Sequence, residues 1–117
     1  MKILFCEDIT ILRKLVPNVL KSIGHQVEIA CDGQDALEKL QANTFDLLIT
    51  DNRMPRLSGV QLVEKLRKWN VPIKVIMASE FHPPLDPEIE ERLRLDGVLK
   101  KPYNANELLD CVKKLQF

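Results

Sequence analysis

The feature of this sequence that most constrains its fold is a regular alternation of short apolar runs with amphipathic helical patterns. Apolar runs of strand length lie at 3–6, 27–30, 46–50, 73–77 and, more weakly, 98–99. Between and after them, apolar residues recur at three- and four-residue steps, which is the spacing of an amphipathic helix. The order βαβαβαβαβα predicts an α/β fold, in which a parallel sheet is covered by helices on both faces. A length of 117 residues fits one such domain.

Residues that favour helix starts mark two of the predicted helices, and a proline lies inside another. The apolar positions of the first helical pattern are Leu12, Leu15, Val16, Val19 and Ile23. Pro17 lies inside this pattern and is predicted to kink the helix or to cost about 3 kcal/mol. Asp86 and Pro87 predict the capped start of the fourth helix. Asn104 and Glu107 have the spacing of a capping box, which predicts the start of the last helix.

Charge and cysteine content narrow the class of protein. The chain has 17 Lys and Arg against 17 Asp and Glu, and this balance gives no indication of binding to nucleic acid or to a membrane. The cysteines lack the spacing of a disulfide framework or a zinc site. We expect Cys6, Cys31 and Cys111 to be inert core residues, and His25 and His82 to be exposed. Because no signal-peptide pattern opens the chain, we expect a cytoplasmic protein.

Polar side chains follow four of the five predicted strands. Glu7 and Asp8 follow the first strand, Asp51 the third, Ser79 the fourth, and Lys101 the fifth. In open parallel sheets, ligands bind beyond the carboxyl ends of the strands, where the strand order reverses. If the strand order is 2-1-3-4-5, the three carboxylates converge on one small pocket, with the hydroxyl and the ammonium group facing them.

These residue types suit phosphoryl chemistry. Carboxylates held close together must be protonated, paired or bound to a cation, and an all-oxygen set suits Mg²⁺ or Mn²⁺. A lysine and a serine hydroxyl can both donate to phosphoryl oxygens, and a carboxylate can act as the nucleophile. Taken singly, each residue has an ordinary explanation as a turn residue, a helix N-cap or a surface charge. Their shared position at strand ends favours metal-assisted phosphoryl transfer onto an aspartate.

Five segments together resemble the receiver domain of bacterial two-component response regulators. They are residues 5–8, with the acidic pair; 30–37, which open the second helix; 46–59, with a D-x-x-M-P-x-x-x-G loop; 75–79, which end in Ser; and 99–103, with a K-P-[FY] ending. The resemblance extends over residues 2–115 and implies one receiver domain over residues 1–117. It also implies a flavodoxin-like (βα)5 three-layer sandwich, with a parallel five-stranded sheet of order 2-1-3-4-5.

The resemblance also implies a role for each site residue. Asp51 is the expected phosphoacceptor, and Ser79 and Lys101 are expected to contact the phosphoryl group. The expected Mg²⁺ (or Mn²⁺) ligands are Glu7, Asp8, Asp51 and the backbone carbonyl of Arg53. The Lys101–Pro102 bond is expected to be cis.

The expected partners follow from the same resemblance. The phosphoryl donor is a sensor histidine kinase or a histidine phosphotransfer protein. The signal passes to a downstream protein or a fused output domain through the face of the fourth helix, fifth strand and fifth helix, and a phosphorylation-dependent homodimer fits this expectation. The chain is thus a phosphoacceptor signalling domain rather than an enzyme with a separate substrate, and this domain binds neither nucleic acid nor membrane.

Four residues depart from the family pattern. Val98 replaces an aromatic switch residue, Glu80 replaces a small residue after Ser79, and Arg94 with Leu95 replaces a Gly-Ala step. These departures leave a pseudo-receiver, an unphosphorylated interaction module, as the alternative. A flavin-binding flavodoxin is disfavoured because the loop after the first strand lacks a Gly-rich phosphate cradle. A free-standing phosphatase is disfavoured because no second acid follows two residues after Asp51.

Overall fold

Strands and helices alternate along the chain as the sequence predicts. The computed structural model describes residues 1–80 and 86–115. The strands are β1 (Lys2–Cys6), β2 (Gln26–Ala30), β3 (Leu47–Asp51), β4 (Lys74–Ser79) and β5 (Gly97–Lys100). The helices are α1 (Thr10–Lys21), α2 (Gly33–Ala42), α3 (Gly59–Lys68), α4 (Pro87–Leu93) and α5 (Ala105–Lys113). None of these helices is long and apolar enough to cross a membrane.

The five strands form one parallel sheet between two layers of helices. The strand order is β2-β1-β3-β4-β5, which confirms the predicted flavodoxin-like architecture. One apolar core joins the sheet to α1 and α5, through residues such as Leu20 and Val112. The other joins it to α2, α3 and α4, through residues such as Leu37, Leu62 and Leu93. Both faces of β3 and β4 are buried, because helices cover the sheet on both sides.

The predicted capping signals are confirmed. Asp86 accepts a hydrogen bond from the Glu88 N–H, with Pro87 in the first turn of α4. Asn104 and Glu107 form the reciprocal capping box of α5. These side chains satisfy backbone N–H groups that a helix start leaves without partners.

The first helix buries only part of its apolar pattern. α1 continues through Pro17, which is itself buried. Leu15 is 54% exposed and Ile23 is also exposed, although both have the apolar spacing of the helical pattern. Leu20 is fully buried instead. Apolar spacing places residues on one side of a helix, but the width of the strip that the sheet covers depends on packing.

Two further burial predictions are wrong. Cys31 is exposed, because β2 is an edge strand that ends at Ala30 and the cysteine belongs to the following loop. His25 is buried, and its Nδ1 lies 2.8 Å from the terminal amine of Met1. Burial and that ammonium group both lower the pKa of His25. Cys6 is buried as predicted, whereas His82 lies outside the described residues.

Arg94 has a backbone conformation that glycine adopts more easily. It follows α4 with φ of 54°, in the left-handed region. Side chains with a Cβ are strained there, which explains why glycine is common after helices. We therefore expect Arg94→Gly to raise the free energy of unfolding by about 0.5–1 kcal/mol, measured by urea denaturation. Glu91→Gly, inside α4, is the matched control and should lower it by about 1 kcal/mol. An equal decrease in the free energy of unfolding of the two variants would contradict this explanation.

Candidate functional site

Three predicted site carboxylates meet at the carboxyl ends of β1 and β3. These strands are neighbours, with Cys6 opposite Thr50 in the register, so the residues that end them lie side by side. Glu7, Asp8 and Asp51 each offer a carboxylate oxygen, and these oxygens lie within 4.8 Å of one another. Glu7 and Asp51 are buried, whereas Asp8 is exposed. The structure thus brings together the three acidic side chains that the sequence singles out.

Lys101 reaches this carboxylate cluster from the end of β5. Its ammonium nitrogen lies 2.5 Å from Oε1 of Glu7 and 3.4 Å from Oδ2 of Asp51. The Lys101 N–H donates to the backbone carbonyl of Ser79 at 2.9 Å, which ties the end of β4 to this residue. The predicted cis peptide between Lys101 and Pro102 is confirmed. Within residues 1–80 and 86–115, one buried ammonium group therefore faces two buried carboxylates.

The electrostatic environment disfavours the charged form of both buried acids. Burial raises the pKa of Glu7, and Lys101 only partly opposes this effect. The pKa of Asp51 is also raised by burial, with Lys101 and the Asn52 N–H opposing it and Asp8 adding to it. Buried carboxylates with raised pKa values favour a further cation nearby. An all-oxygen acidic cluster of this kind fits Mg²⁺ or Mn²⁺.

A small cavity opens next to the cluster. Its volume is about 190 Å³, and its lining residues are Asp8, Ile9, Asp51, Arg53, Glu80 and Lys101. Arg53 and Glu80 are both exposed at its rim. Glu80 is not an ion-pair partner of Lys101, which pairs with Glu7 and Asp51. The cavity gives a small ligand access to Asp51 from solvent.

Ser79 is buried at the end of β4, and β4 lies next to β3 in the sheet. Asp51 is opposite Ala78 in the register, one residue before Ser79. Asp51 and Ser79 therefore end β3 and β4, and Lys101 directly follows β5, so all three lie at the carboxyl ends of neighbouring strands. Contact between the Ser79 hydroxyl and a phosphoryl group remains a prediction.

The loop after Asp51 is held in place by contacts that the sequence indicates only in part. The Asn52 carbonyl accepts a hydrogen bond from the Gly59 N–H at 2.9 Å, and the Asn52 side chain accepts one from the Val60 N–H at 3.0 Å. A Cβ at Gly59 would overlap the backbone carbonyl of Asp51. Gly59 is therefore required by the close approach of α3 to the end of β3.

An ion pair between two loops was missed by the sequence analysis. The Arg56 guanidinium donates from Nε and Nη2 to the two carboxylate oxygens of Asp32, both at 3.0 Å. Asp32 also accepts from the Asp35 N–H and so caps α2. Burial raises the pKa of Asp32, but these donors outweigh it and leave the pKa below its ordinary value. No spacing rule indicates a pair whose members are 24 residues apart.

The fold and the site define a receiver-type signalling domain, and comparison with known proteins agrees. Residues 3–113 match the family described as the response regulator receiver domain. The chain belongs to this family, whose members act in two-component signalling.

Named relatives and solved structures place the chain among response regulators. It is 38% identical over 114 residues to the Regulator of RpoS of Escherichia coli, covering 95% of this chain and 33% of the relative. It is 30% identical to the chemotaxis protein CheY of Pseudomonas aeruginosa, covering 98% of this chain and 95% of the relative. The chain therefore spans about a third of the first of these relatives and nearly all of the second.

A solved structure with a similar fold is that of the response regulator protein TrrA of Thermotoga maritima, in complex with Mg²⁺ and BeF. The TM-score is 0.86 at 29% sequence identity, and the match covers 97% of each chain.

Proposed function

We propose that this receiver domain accepts a phosphoryl group on Asp51 in a reaction that needs a divalent cation. The observation that carries the proposal is the meeting of Glu7, Asp8 and Asp51 beside the ammonium group of Lys101. A relative of similar fold was solved with Mg²⁺ and BeF, which supports the assignment. The pseudo-receiver alternative is not supported, because all five predicted side chains lie at one edge of the sheet.

Glu7, Asp8 and Asp51 would hold the cation, with the backbone carbonyl of Arg53 as a further ligand. When bound, Mg²⁺ neutralises the negative charge that would otherwise build up between the carboxylates and the incoming phosphoryl group. The protein's own contribution is to keep three carboxylates close together before the cation arrives.

Asp51 acts as the nucleophile. One of its carboxylate oxygens forms a bond to phosphorus while the P–N bond of a phosphohistidine breaks, and the bonding electrons stay on the imidazole nitrogen. The product is an acyl phosphate on Asp51. Its neighbour Asn52 donates its N–H to Oδ1 of Asp51 at 2.9 Å, which leaves Oδ2 as the oxygen that faces Lys101.

Lys101 and Ser79 respond to the new group. Phosphorylation adds nearly two negative charges and three acceptor oxygens. Lys101 is within reach of Asp51, so its ammonium group pairs with the phosphoryl oxygens, and the Ser79 hydroxyl donates to another of them. Ser79 ends β4 and precedes α4, and Lys101 lies between β5 and α5, so these elements would pass the change to the surface.

The dependence on a divalent cation gives the direct test of this function. We expect acetyl phosphate to add one phosphoryl group to the protein in the presence of Mg²⁺, and excess EDTA to prevent the addition. The physical reason is that a bare acidic cluster repels an anionic donor. Intact mass measured at several times gives the result. Equal labelling with and without EDTA would contradict the metal requirement, and no labelling in Mg²⁺ would contradict the function.

The expected partners are a histidine kinase or histidine phosphotransfer protein as donor, and a downstream protein or fused domain as target. We propose that the target binds the face formed by α4, β5 and α5. Val98 of β5 is 44% exposed on that side, where the family has an aromatic ring.

The output face can be mapped with a phosphoryl mimic. We expect amide shifts on adding beryllofluoride and Mg²⁺ to concentrate in α4, β5 and the start of α5. The reason is that Ser79 ends β4 and precedes α4, and that Lys101 lies between β5 and α5. Two-dimensional NMR of the labelled protein measures the shifts. Shifts confined to α1 and α2 would contradict this assignment.

A further inference from the structure

A groove between α3 and α4 has a charge and a lining that the phosphoacceptor site does not explain. Its volume is about 860 Å³. Among the described residues that line it, five have cationic side chains and one, Glu64, is acidic. The cations are Lys65, Arg67, Lys68, Arg92 and Arg94. None of these residues lines the cavity beside Asp51.

Two of these cations already have partners within the protein. Arg67 donates hydrogen bonds at 2.7–3.1 Å to the backbone carbonyls of Val71, Ile73, Leu93 and Arg94. It therefore fixes the end of α4 against α3 and forms part of the groove wall. Arg92 pairs with Glu64 at 3.3 Å across the groove.

The other three cations are available to a ligand. Lys65, Lys68 and Arg94 are exposed and make no ion pair with any acidic group in residues 1–80 and 86–115. Since the single acid of the groove is already paired with Arg92, the groove has uncompensated positive charge. The chain as a whole has no net charge, so the rest of its surface is acidic overall.

An exposed aromatic ring lies among these cations. Trp69, which follows the last residue of α3, is 46% exposed and lines the groove. It is the only tryptophan of the chain. Tryptophan and arginine side chains are enriched at the energetic centres of protein interfaces. The groove therefore offers an apolar ring as well as charge.

We propose that the groove between α3 and α4 is a docking surface for an acidic peptide segment that carries aromatic or leucine side chains. The acidic groups pair with Lys65, Lys68 and Arg94, and an apolar side chain packs on Trp69. A nucleic acid fits less well, because its phosphates repeat along the whole strand and would extend beyond the groove onto the acidic remainder of the surface, whereas a short peptide can keep its acidic groups within the groove. Electrostatic complementarity of this kind mainly accelerates association and selects the partner.

This groove is distinct from the phosphoacceptor site, and the binding of an acidic peptide to it does not require a phosphoryl group on Asp51. Failure of one proposal therefore leaves the other intact. Docking at the groove is measured without acetyl phosphate or Mg²⁺.

The sole tryptophan makes binding directly observable. The probe is a fluorescein-labelled peptide of about 12 residues built from Glu, Phe and Leu, a length comparable to that of α3. A second peptide has Lys in place of every Glu, and a single-stranded DNA oligonucleotide is the third probe. We expect only the acidic peptide to give a saturable change in Trp69 emission and in fluorescein anisotropy.

Charge reversal locates the binding. We expect the double change Lys65→Glu with Lys68→Glu to weaken the binding of the acidic peptide by about tenfold or more. The matched control, Lys14→Glu with Lys114→Glu, makes the same change in net charge on exposed residues outside the groove and should alter affinity by about twofold or less. Circular dichroism checks that both double variants fold. No saturable signal, equal loss in the two double variants, or tighter binding of the oligonucleotide would overturn the proposal.

Discussion

Replacing Asp51 with asparagine is expected to abolish labelling by acetyl phosphate in the presence of Mg²⁺. The amide has nearly the same shape, and its oxygen can still accept the Asn52 N–H that now donates to Oδ1 of Asp51. It lacks the negative charge and the nucleophilic oxygen that a bond to phosphorus requires. Intact mass spectrometry after incubation with the donor measures the result. The expected change is a complete loss of the phosphorylated species.

A matched control separates this loss from a general effect on acidic residues. Asp110 is an exposed aspartate of α5, and Asp110→Asn should be labelled like the parent protein. Labelling that persists in Asp51→Asn would mean that another carboxylate accepts the phosphoryl group. Peptide mapping would then show which one, and the assignment of Asp51 would be wrong.

The second large effect is expected from Lys101→Met. Among the residues that the structure describes, this change removes the only ammonium group within ion-pair distance of Glu7, whose side chain is 1% exposed. Removing one partner of a buried ion pair leaves the other charge without compensation, which typically costs about 3–5 kcal/mol. We expect a loss of that size in the free energy of unfolding, measured by urea denaturation at about pH 7.

The loss should depend on pH in a defined direction. Lys101 lowers the pKa of Glu7 and Asp51 in the folded protein, so its removal raises both values further above those of the unfolded chain. A carboxyl group with a raised pKa favours folding below its unfolded pKa, and this contribution is lost as pH rises through the folded value. The difference between Lys101→Met and the parent protein should therefore shrink as pH falls toward about 4.

Two further variants show whether the buried ion pair is the cause. Lys100 is the preceding residue and is exposed, so Lys100→Met should change the free energy of unfolding by about 0.5 kcal/mol or less. Adding Glu7→Gln to Lys101→Met removes one of the two buried charges that lose their partner and should recover part of the stability. A Lys101→Met protein as stable as the Lys100→Met control would contradict this account of the site.

The apolar pattern was sufficient to predict the alternation of strands and helices and the two-sided cover of the sheet. The buried runs of β3 and β4 and the caps at Asp86 and Asn104 are local signals, because their causes lie within a few residues. The expectation that Glu7, Asp8 and Asp51 converge needed one additional assumption, the strand order. Once the order is 2-1-3-4-5, the ends of β1 and β3 are neighbours and their acidic residues must meet.

Other features depend on packing between segments that are distant in sequence. His25 is buried because the turn before β2 lies against the first residue of the chain, and Cys31 is exposed because β2 is an edge strand. The bidentate pair of Asp32 with Arg56 joins two loops.

The sequence by itself thus determined the elements, their order and the acidic residues at the strand ends, since these follow from side-chain periodicity and from which residues end each strand. Only the tertiary structure decided that Lys101 pairs with Glu7 and Asp51, and that Lys65, Trp69 and Arg94 share one groove. Such contacts depend on how helices and loops pack onto the sheet, and no local pattern in the chain records that geometry.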